Sequence, residues 1–212
     1  MTNNISYKHK FIWTAPPKVG SRSVKDVFRT HCDLNPQWPS DTYASDFTHT
    51  NIWPDGIGDD YLHITSVRHP YYRWVSYWKY AQHDTHELKR LGTDPLTAIL
   101  EMDKGWFHAW TCHQITVNSN PRVDYIIHAE TIEDDIKSLP FMSNYDITIP
   151  WVGKTNVPMG QTWDEQELRD VVYDRFRVDY DYFGYGKDDV FTTWDVLPTI
   201  PSRPTKNFSS KA

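Results

Sequence analysis

Hydrophobic and polar positions along the chain fall into short apolar runs separated by stretches of helical period. Lys10–Ala15 (KFIWTA) is an apolar run closed by Pro16 and Pro17, the pattern of a short buried strand. A small-residue turn, Lys18–Ser23 (KVGSRS), comes next. Val24, Val27 and Phe28 then recur at helical spacing, so a helix is expected to start near Ser21 or Ser23. Tyr61–Val67 (YLHITSV) predicts a second strand. Arg68-His69-Pro70 closes it, with Pro70 suited to the first turn of a helix that runs through YYRWVSYWKYAQ. Pro95–Met102 and Trp106–Val117 predict further helices, Val123–Ala129 a third strand and Thr131–Leu139 a short helix. Thr162 and Glu165 form a capping box that opens a long helix. Leu168, Val171, Val172, Arg175 and Phe176 share one face of it, and Phe183-Gly184 is its expected end.

Asp33–Asp60 has no clean period and reads as a long irregular segment carrying Trp38, Tyr43, His49 and Trp53. From Lys187 the chain is rich in Pro, Ser and Thr, so the expected organisation is one domain over residues 1–186 and an extended tail over 187–212. Strands alternating with helices predict an α/β fold: a single domain on a P-loop-like parallel β-sheet, flanked by helices on both faces. In such sheets ligands sit beyond the carboxyl ends of the strands, which is where Lys18–Ser23 and Arg68–Pro70 fall.

Charge narrows the functional classes. The net charge of −6 and isoelectric point near 5.9 disfavour general nucleic-acid binding, which calls for a basic excess. An anionic ligand is still compatible, provided that positive charge is concentrated locally. The two cysteines, Cys32 and Cys112, are far apart and no CxxC occurs, so a thiolate zinc site is not expected. Met1–Lys10 is polar and no run of 18 apolar residues exists; these features predict a soluble, cytoplasmic protein with no membrane span.

Two clusters carry candidate chemistry. In Lys18-Val19-Gly20-Ser21-Arg22-Ser23, glycine allows close backbone approach, a helix start offers unpaired N–H groups, two serines add hydroxyls and Lys18 adds charge. The lysine precedes the glycine, unlike GxxxxGK[ST], which argues against nucleotide triphosphate hydrolysis. Such a loop alone is equally an ordinary strand-to-helix turn with a capping serine. In the second cluster Arg68 leaves a strand end, while Arg73 and Ser76 lie three apart on the next helix. An arginine fork with a hydroxyl suits a phosphate dianion, although such an arginine alone more often pairs with an acidic neighbour.

Taken together, PKVGSRS and SVRHPYYRWVSYW resemble the paired signature of PAPS-dependent sulfotransferases, closest to the carbohydrate branch that acts on heparan and chondroitin. The likeness spans about residues 10–185. It includes Gln114–Glu130, Lys154-Thr155-Asn156 and the helix end DYDYFGY. The resemblance implies transfer of a sulfuryl group from 3′-phosphoadenosine 5′-phosphosulfate (PAPS) to a hydroxyl, with a sugar as acceptor, 3′,5′-bisphosphoadenosine as the other product and no metal. It implies that Lys18, Gly20, Ser21, Arg22 and Ser23 bind the 5′-phosphosulfate, and that Arg68 and Ser76 bind the 3′-phosphate. Lys18 would stabilise the bridging oxygen as its bond to sulfur breaks. Golgi members of the family carry an N-terminal membrane anchor; the polar start and pared-down loops here fit a compact bacterial or viral form.

A base is needed for the acceptor proton, and histidine suits that role at neutral pH. His49, in the irregular segment between the two motifs, is the candidate, with Asp46 and Asp55 as carboxylate alternatives. His63 alternates with apolar strand residues and reads as structural, whereas His69 is a possible pocket residue. Trp38 and Trp53 are candidate acceptor contacts; Trp106 and Trp110, at helical spacing, read as core. Two other readings stand beside this one: a P-loop-type small-molecule kinase, which lacks its GK[ST], and a non-catalytic glycan-binding domain, which leaves both anion clusters unexplained.

Overall fold

The structure is a computed structural model that describes residues 5–34, 60–83, 94–102, 111–117, 123–150 and 165–190. Among these residues the chain is a mixed α/β protein with one open four-stranded sheet and six α-helices. The strands are β1 (Ile5–Ser6), β2 (Phe11–Thr14), β3 (Leu62–Val67) and β4 (Tyr125–His128), adjacent in that order. β2, β3 and β4 run parallel, as expected. β1 pairs antiparallel with β2, so the sheet is mixed and not wholly parallel. This edge strand has only two residues, too few to leave a period in the sequence. It is fixed by a side chain instead: Asp33, just after the first helix, accepts hydrogen bonds from the Ser6 hydroxyl and from the Tyr7 and Lys8 amides.

The helices are α1 (Ser21–His31), α2 (Pro70–His83), α3 (Pro95–Glu101), α4 (Cys112–Val117), α5 (Ile132–Lys137) and α6 (Glu165–Phe183). The third strand and the helix after it are shorter than their sequence patterns, because Ala129–Thr131 tightens into a 3-10 turn between them. Only the Cys112–Val117 part of the helix expected over 106–117 falls within the described residues, as does α6 without Thr162 of its capping box. Residues 187–190 of the expected tail continue from α6 in a turn.

Strand alternation sorts the sheet into two faces. One is apolar. Phe11, Trp13, Ile64 and Ile127 pack there against Val24, Val27 and Phe28 of α1 and Ile132 and Ile136 of α5. Phe28 is central, with its ring 5.0 Å from that of Phe11 and edge-on to Trp13 at 5.6 Å. The other face mixes apolar residues such as Ile12 and Val67 with buried polar ones. Thr14 Oγ1 lies 2.9 Å from His63 Nε2, and the Thr65 hydroxyl lies 3.0 Å from that of Thr116 in α4. His63 is therefore a satisfied interior histidine.

A second core lies among the helices. Tyr71, Trp74, Val75 and Trp78 of α2 meet Ala98 and Ile99 of α3 and Leu168, Val172, Phe176 and Tyr180 of α6. α6 bends at Phe176, whose φ of −111° and ψ of 22° depart from helical values. Its end is closed by Gly184 at φ 74°, where the Gly184 and Tyr185 amides both donate to the Tyr180 carbonyl at 3.0 Å. Among the described residues no helix is long and apolar enough to cross a membrane.

Phe28 joins α1 to the sheet, and truncating it leaves a cavity under Trp13. Phe28→Ala should cost ~3–5 kcal/mol, read as a lowered urea midpoint with an unchanged slope.

Candidate anion site at the ends of β2 and β3

The first motif is shaped by its backbone. Pro16 and Pro17 end β2, since neither can donate to a ladder. Lys18 and Gly20 then both take left-handed conformations, at φ 68° and φ 76°, on either side of Val19. For Gly20 this conformation is what selects glycine: an added Cβ would meet Ile132 Cδ1 at 3.7 Å and Ala129 Cβ at 4.0 Å, both ordinary contacts. Gly20 is the N-cap of α1, so no serine side chain occupies that position. Its carbonyl accepts from the Ser23 amide at 3.0 Å and the Val24 amide at 3.3 Å. The amides of Ser21 and Arg22 precede the first intrahelical bond, and the first turn contains no acidic side chain. The start of α1 therefore keeps its positive end.

Lys18 places its Nζ 4.4 Å from the centre of the Tyr80 ring in α2. Burial, helped by the charges of Arg68 and Arg22, lowers its pKa to about 8. Arg22 is exposed, Ser21 half-buried and Ser23 buried. The second motif starts where β3 ends. Arg68 is buried and its Nη1 donates to the Lys18 carbonyl at 3.4 Å, so the two motifs touch. Burial lowers the Arg68 pKa to about 10, opposed by Glu130, Tyr185 and Tyr72, and the side chain stays charged at neutral pH. Lys79 is a fourth cation in the group: its pKa is lowered by burial and then by Arg68.

Ser76 is half-buried, one turn from both Tyr72 and Tyr80 and three residues from Lys79. It thus shares a helix face with the residues that meet Lys18 and Arg68. Arg73 is held by other groups. It is buried, its Nε donates to the Pro17 carbonyl at 3.1 Å, and its Nη1 lies 3.9 Å from Asp179 Oδ2. Spacing places Arg73 beside Ser76 on α2, and its guanidinium is bound by a carbonyl in the first motif.

His69 is fully buried and structural. Its amide donates to Glu130 Oε1 at 2.9 Å, its Nε2 lies 3.0 Å from the Gly186 carbonyl, and burial lowers its pKa to about 4. Glu130 Oε2 accepts from the Tyr185 hydroxyl at 3.0 Å, so a carboxylate and a tyrosine form the wall behind Arg68. His49, Trp38, Trp53, Asp46, Asp55, Trp106, Trp110 and Lys154–Asn156 lie outside the described residues. A cavity of about 10 Å³ lies between Pro17, Lys18, Arg73, Trp74 and Phe176; it has room for about one water and none for a nucleotide. Among the described residues no group of His, Cys, Asp and Glu is arranged to hold a metal ion.

The chain matches no family model, no curated protein and no solved structure.

The chemistry of the site is legible from its parts. Lys18, Arg22, Arg68 and Lys79 gather in a protein of net charge −6, at the mouth of a helix start and beside two left-handed backbone positions. Mutually repelling cations around directed amides are receptors for multiply charged anions. Sequence reasoning missed Lys79 and Tyr80, although both follow Ser76 at helical spacing. It also missed that Glu130 and Tyr185 lie behind Arg68, which is a matter of tertiary packing.

The Lys18 shift has a definite sign. Folding lowers this pKa, so between about pH 8 and its unfolded value of 10.5 the unfolded chain holds more protons. Stability from this group therefore rises with pH across that window. Lys18→Met should stabilise the ligand-free protein near pH 7, by on the order of 2 kcal/mol, and the difference from wild type should shrink as pH passes 8 towards 10.5. Urea denaturation of both proteins across that range is the check; equal midpoints at neutral pH would refute it.

Proposed function

We propose that this chain is a PAPS-dependent sulfotransferase that transfers a sulfuryl group to a hydroxyl, with a carbohydrate as acceptor. The observation that carries the reading is the contact between the two motifs. Arg68, the expected 3′-phosphate ligand, donates to the carbonyl of Lys18, the expected 5′-phosphosulfate ligand, and the cations of both motifs surround that contact. A nucleotide bearing anionic groups at both its 3′ and 5′ ends needs two positive receptors held at a fixed separation.

In this reading the β2–α1 unit acts as a P-loop-like cradle whose lysine comes before its glycine. The amides at the start of α1 hold the 5′-phosphate, aided by Ser21, Arg22 and Ser23. The 3′-phosphate is held by Arg68 and Ser76. Lys79, on the same helix face, adds charge there. The acceptor oxygen attacks sulfur in line as the bond from sulfur to the bridging oxygen breaks, and the leaving 5′-phosphate carries away the electron pair. Lys18 faces that developing charge, so it acts as an electrostatic catalyst. It is cationic below about pH 8, which suits work at neutral pH. The acceptor proton passes to a base, for which His49 is the candidate. Trp38 and Trp53 are the candidate sugar contacts, and the sugar class itself comes from the sequence resemblance.

Calorimetric titration with 3′,5′-bisphosphoadenosine, with 5′-AMP as control, tests the reading. Tight binding that depends on the 3′-phosphate is expected, and equal or absent binding of the two would exclude it. Arg68→Ala should erase that preference; loss of a charge-assisted contact of this kind is worth ~1.5–3 kcal/mol, roughly tenfold or more in affinity. Lys18→Ala should abolish turnover of PAPS while some nucleotide affinity persists, and normal turnover in that variant would remove Lys18 from the mechanism.

A further inference from the structure

We propose that Arg73 is a positioning residue for the anion-binding loop, acting on the loop backbone and not on the ligand. Its nucleotide arm rests on the sulfotransferase reading; its backbone arm does not.

The case begins with two consecutive carbonyls. Arg73 Nε donates to the Pro17 oxygen at 3.1 Å, and Arg68 Nη1 donates to the Lys18 oxygen at 3.4 Å. A trans peptide is planar, with its C=O and N–H on opposite sides. Drawing the Pro17 and Lys18 oxygens towards the arginines therefore turns the Lys18 and Val19 N–H groups the other way. Lys18 at φ 68° and Gly20 at φ 76° continue that turn, the kind of backbone that gathers successive amides around an anion. Lysine rarely occupies this region, and only surrounding contacts keep it there.

Arg73 is built to supply such a contact. Its guanidinium is buried and is held by two residues of α6. Asp179 of α6 lies 3.9 Å from Nη1 and is itself fixed by the Cys112 and His113 amides of α4, each at 2.8 Å. The ring of Phe176, at the bend of α6, lies 5.9 Å from Arg73 Cζ. A rigid planar fork can satisfy a carbonyl and face a carboxylate at once, which lysine cannot do in the same geometry. Arg73 thus ties the direction of the loop amides to α2, α4 and α6, whereas Arg68 reaches the Lys18 carbonyl from the end of β3.

Arg73→Lys is the first variant, since it keeps a charge beside Asp179. The pair Arg73→Met with Asp179→Asn removes both charges together and covers the case in which the single variant does not fold. Two measurements decide. In the ligand-free protein, the backbone amide resonances of Lys18, Val19 and Gly20 should move in either variant while those of β3 and β4 hold; unmoved loop resonances would overturn the proposal. In titrations, affinity for 3′,5′-bisphosphoadenosine should fall ~10- to 100-fold while affinity for adenosine 3′-phosphate is unchanged. An equal loss for both nucleotides would mean a general structural role, and a loss confined to adenosine 3′-phosphate would make Arg73 a direct 3′ ligand; either overturns the proposal. A wild-type protein that ignores both phosphates would sink the sulfotransferase reading alone, and the amide resonances would still decide Arg73.

Discussion

Four cationic side chains held around the ends of two parallel strands repel one another, and the rest of the fold is organised to keep them there. The repulsion is visible in the lysines: Lys18 and Lys79 are both pushed towards their neutral forms, first by burial and then by neighbouring positive charge. Opposing this are two well-filled cores. One clamps α1 and α5 to the apolar face of the sheet, and the other binds α2, α3 and α6 together. Each core holds one of the helices that frame the site, α1 in the first and α2 in the second. A bound dianion would turn the repulsion into attraction, so the free protein is poised to gain from binding.

The two arginines of the second motif differ in their surroundings. Arg68 has Glu130 nearby, but that carboxylate is already accepting from the His69 amide and the Tyr185 hydroxyl. Glu130, Tyr185 and Tyr72 still oppose the lowering of the Arg68 pKa by burial. Arg73 faces Asp179, whose own pKa burial raises to about 6 although it accepts two backbone amides. That is the environment of a fixed internal brace. The same side-chain type, five residues apart, reaches two successive carbonyls of the first motif from two different environments.

Much of this was readable from the sequence, and the exceptions have physical reasons. β2, β3, α1, α2 and α6 each leave a contiguous apolar pattern, and the first anion loop sits where the pattern changes from strand to helix. β1 was not readable because two residues carry no period and its pairing is secured by Asp33, a residue from beyond α1. The contact of Arg73 with the first loop was hidden because its acceptor is 56 residues away in the chain. Asp179, in the helix end DYDYF, is among the most deeply buried acids, although its neighbour Asp181 is exposed. Lys79, in contrast, was within reach of spacing alone.

The turn after α6 gives the site a history as well as a shape. Tyr185 meets the rings of His69 and His128 and bonds to Glu130, and the Gly186 carbonyl reaches His69 across 117 residues of sequence. Both anion motifs are synthesised long before this closing segment. While the chain is still being made, the wall behind Arg68 is incomplete, and contacts of such long range are late and slow to form. The nascent protein would thus pass through a stage in which its sheet can assemble but the surroundings of Arg68 cannot, and the proposed anion site would be completed only as synthesis passes the end of α6.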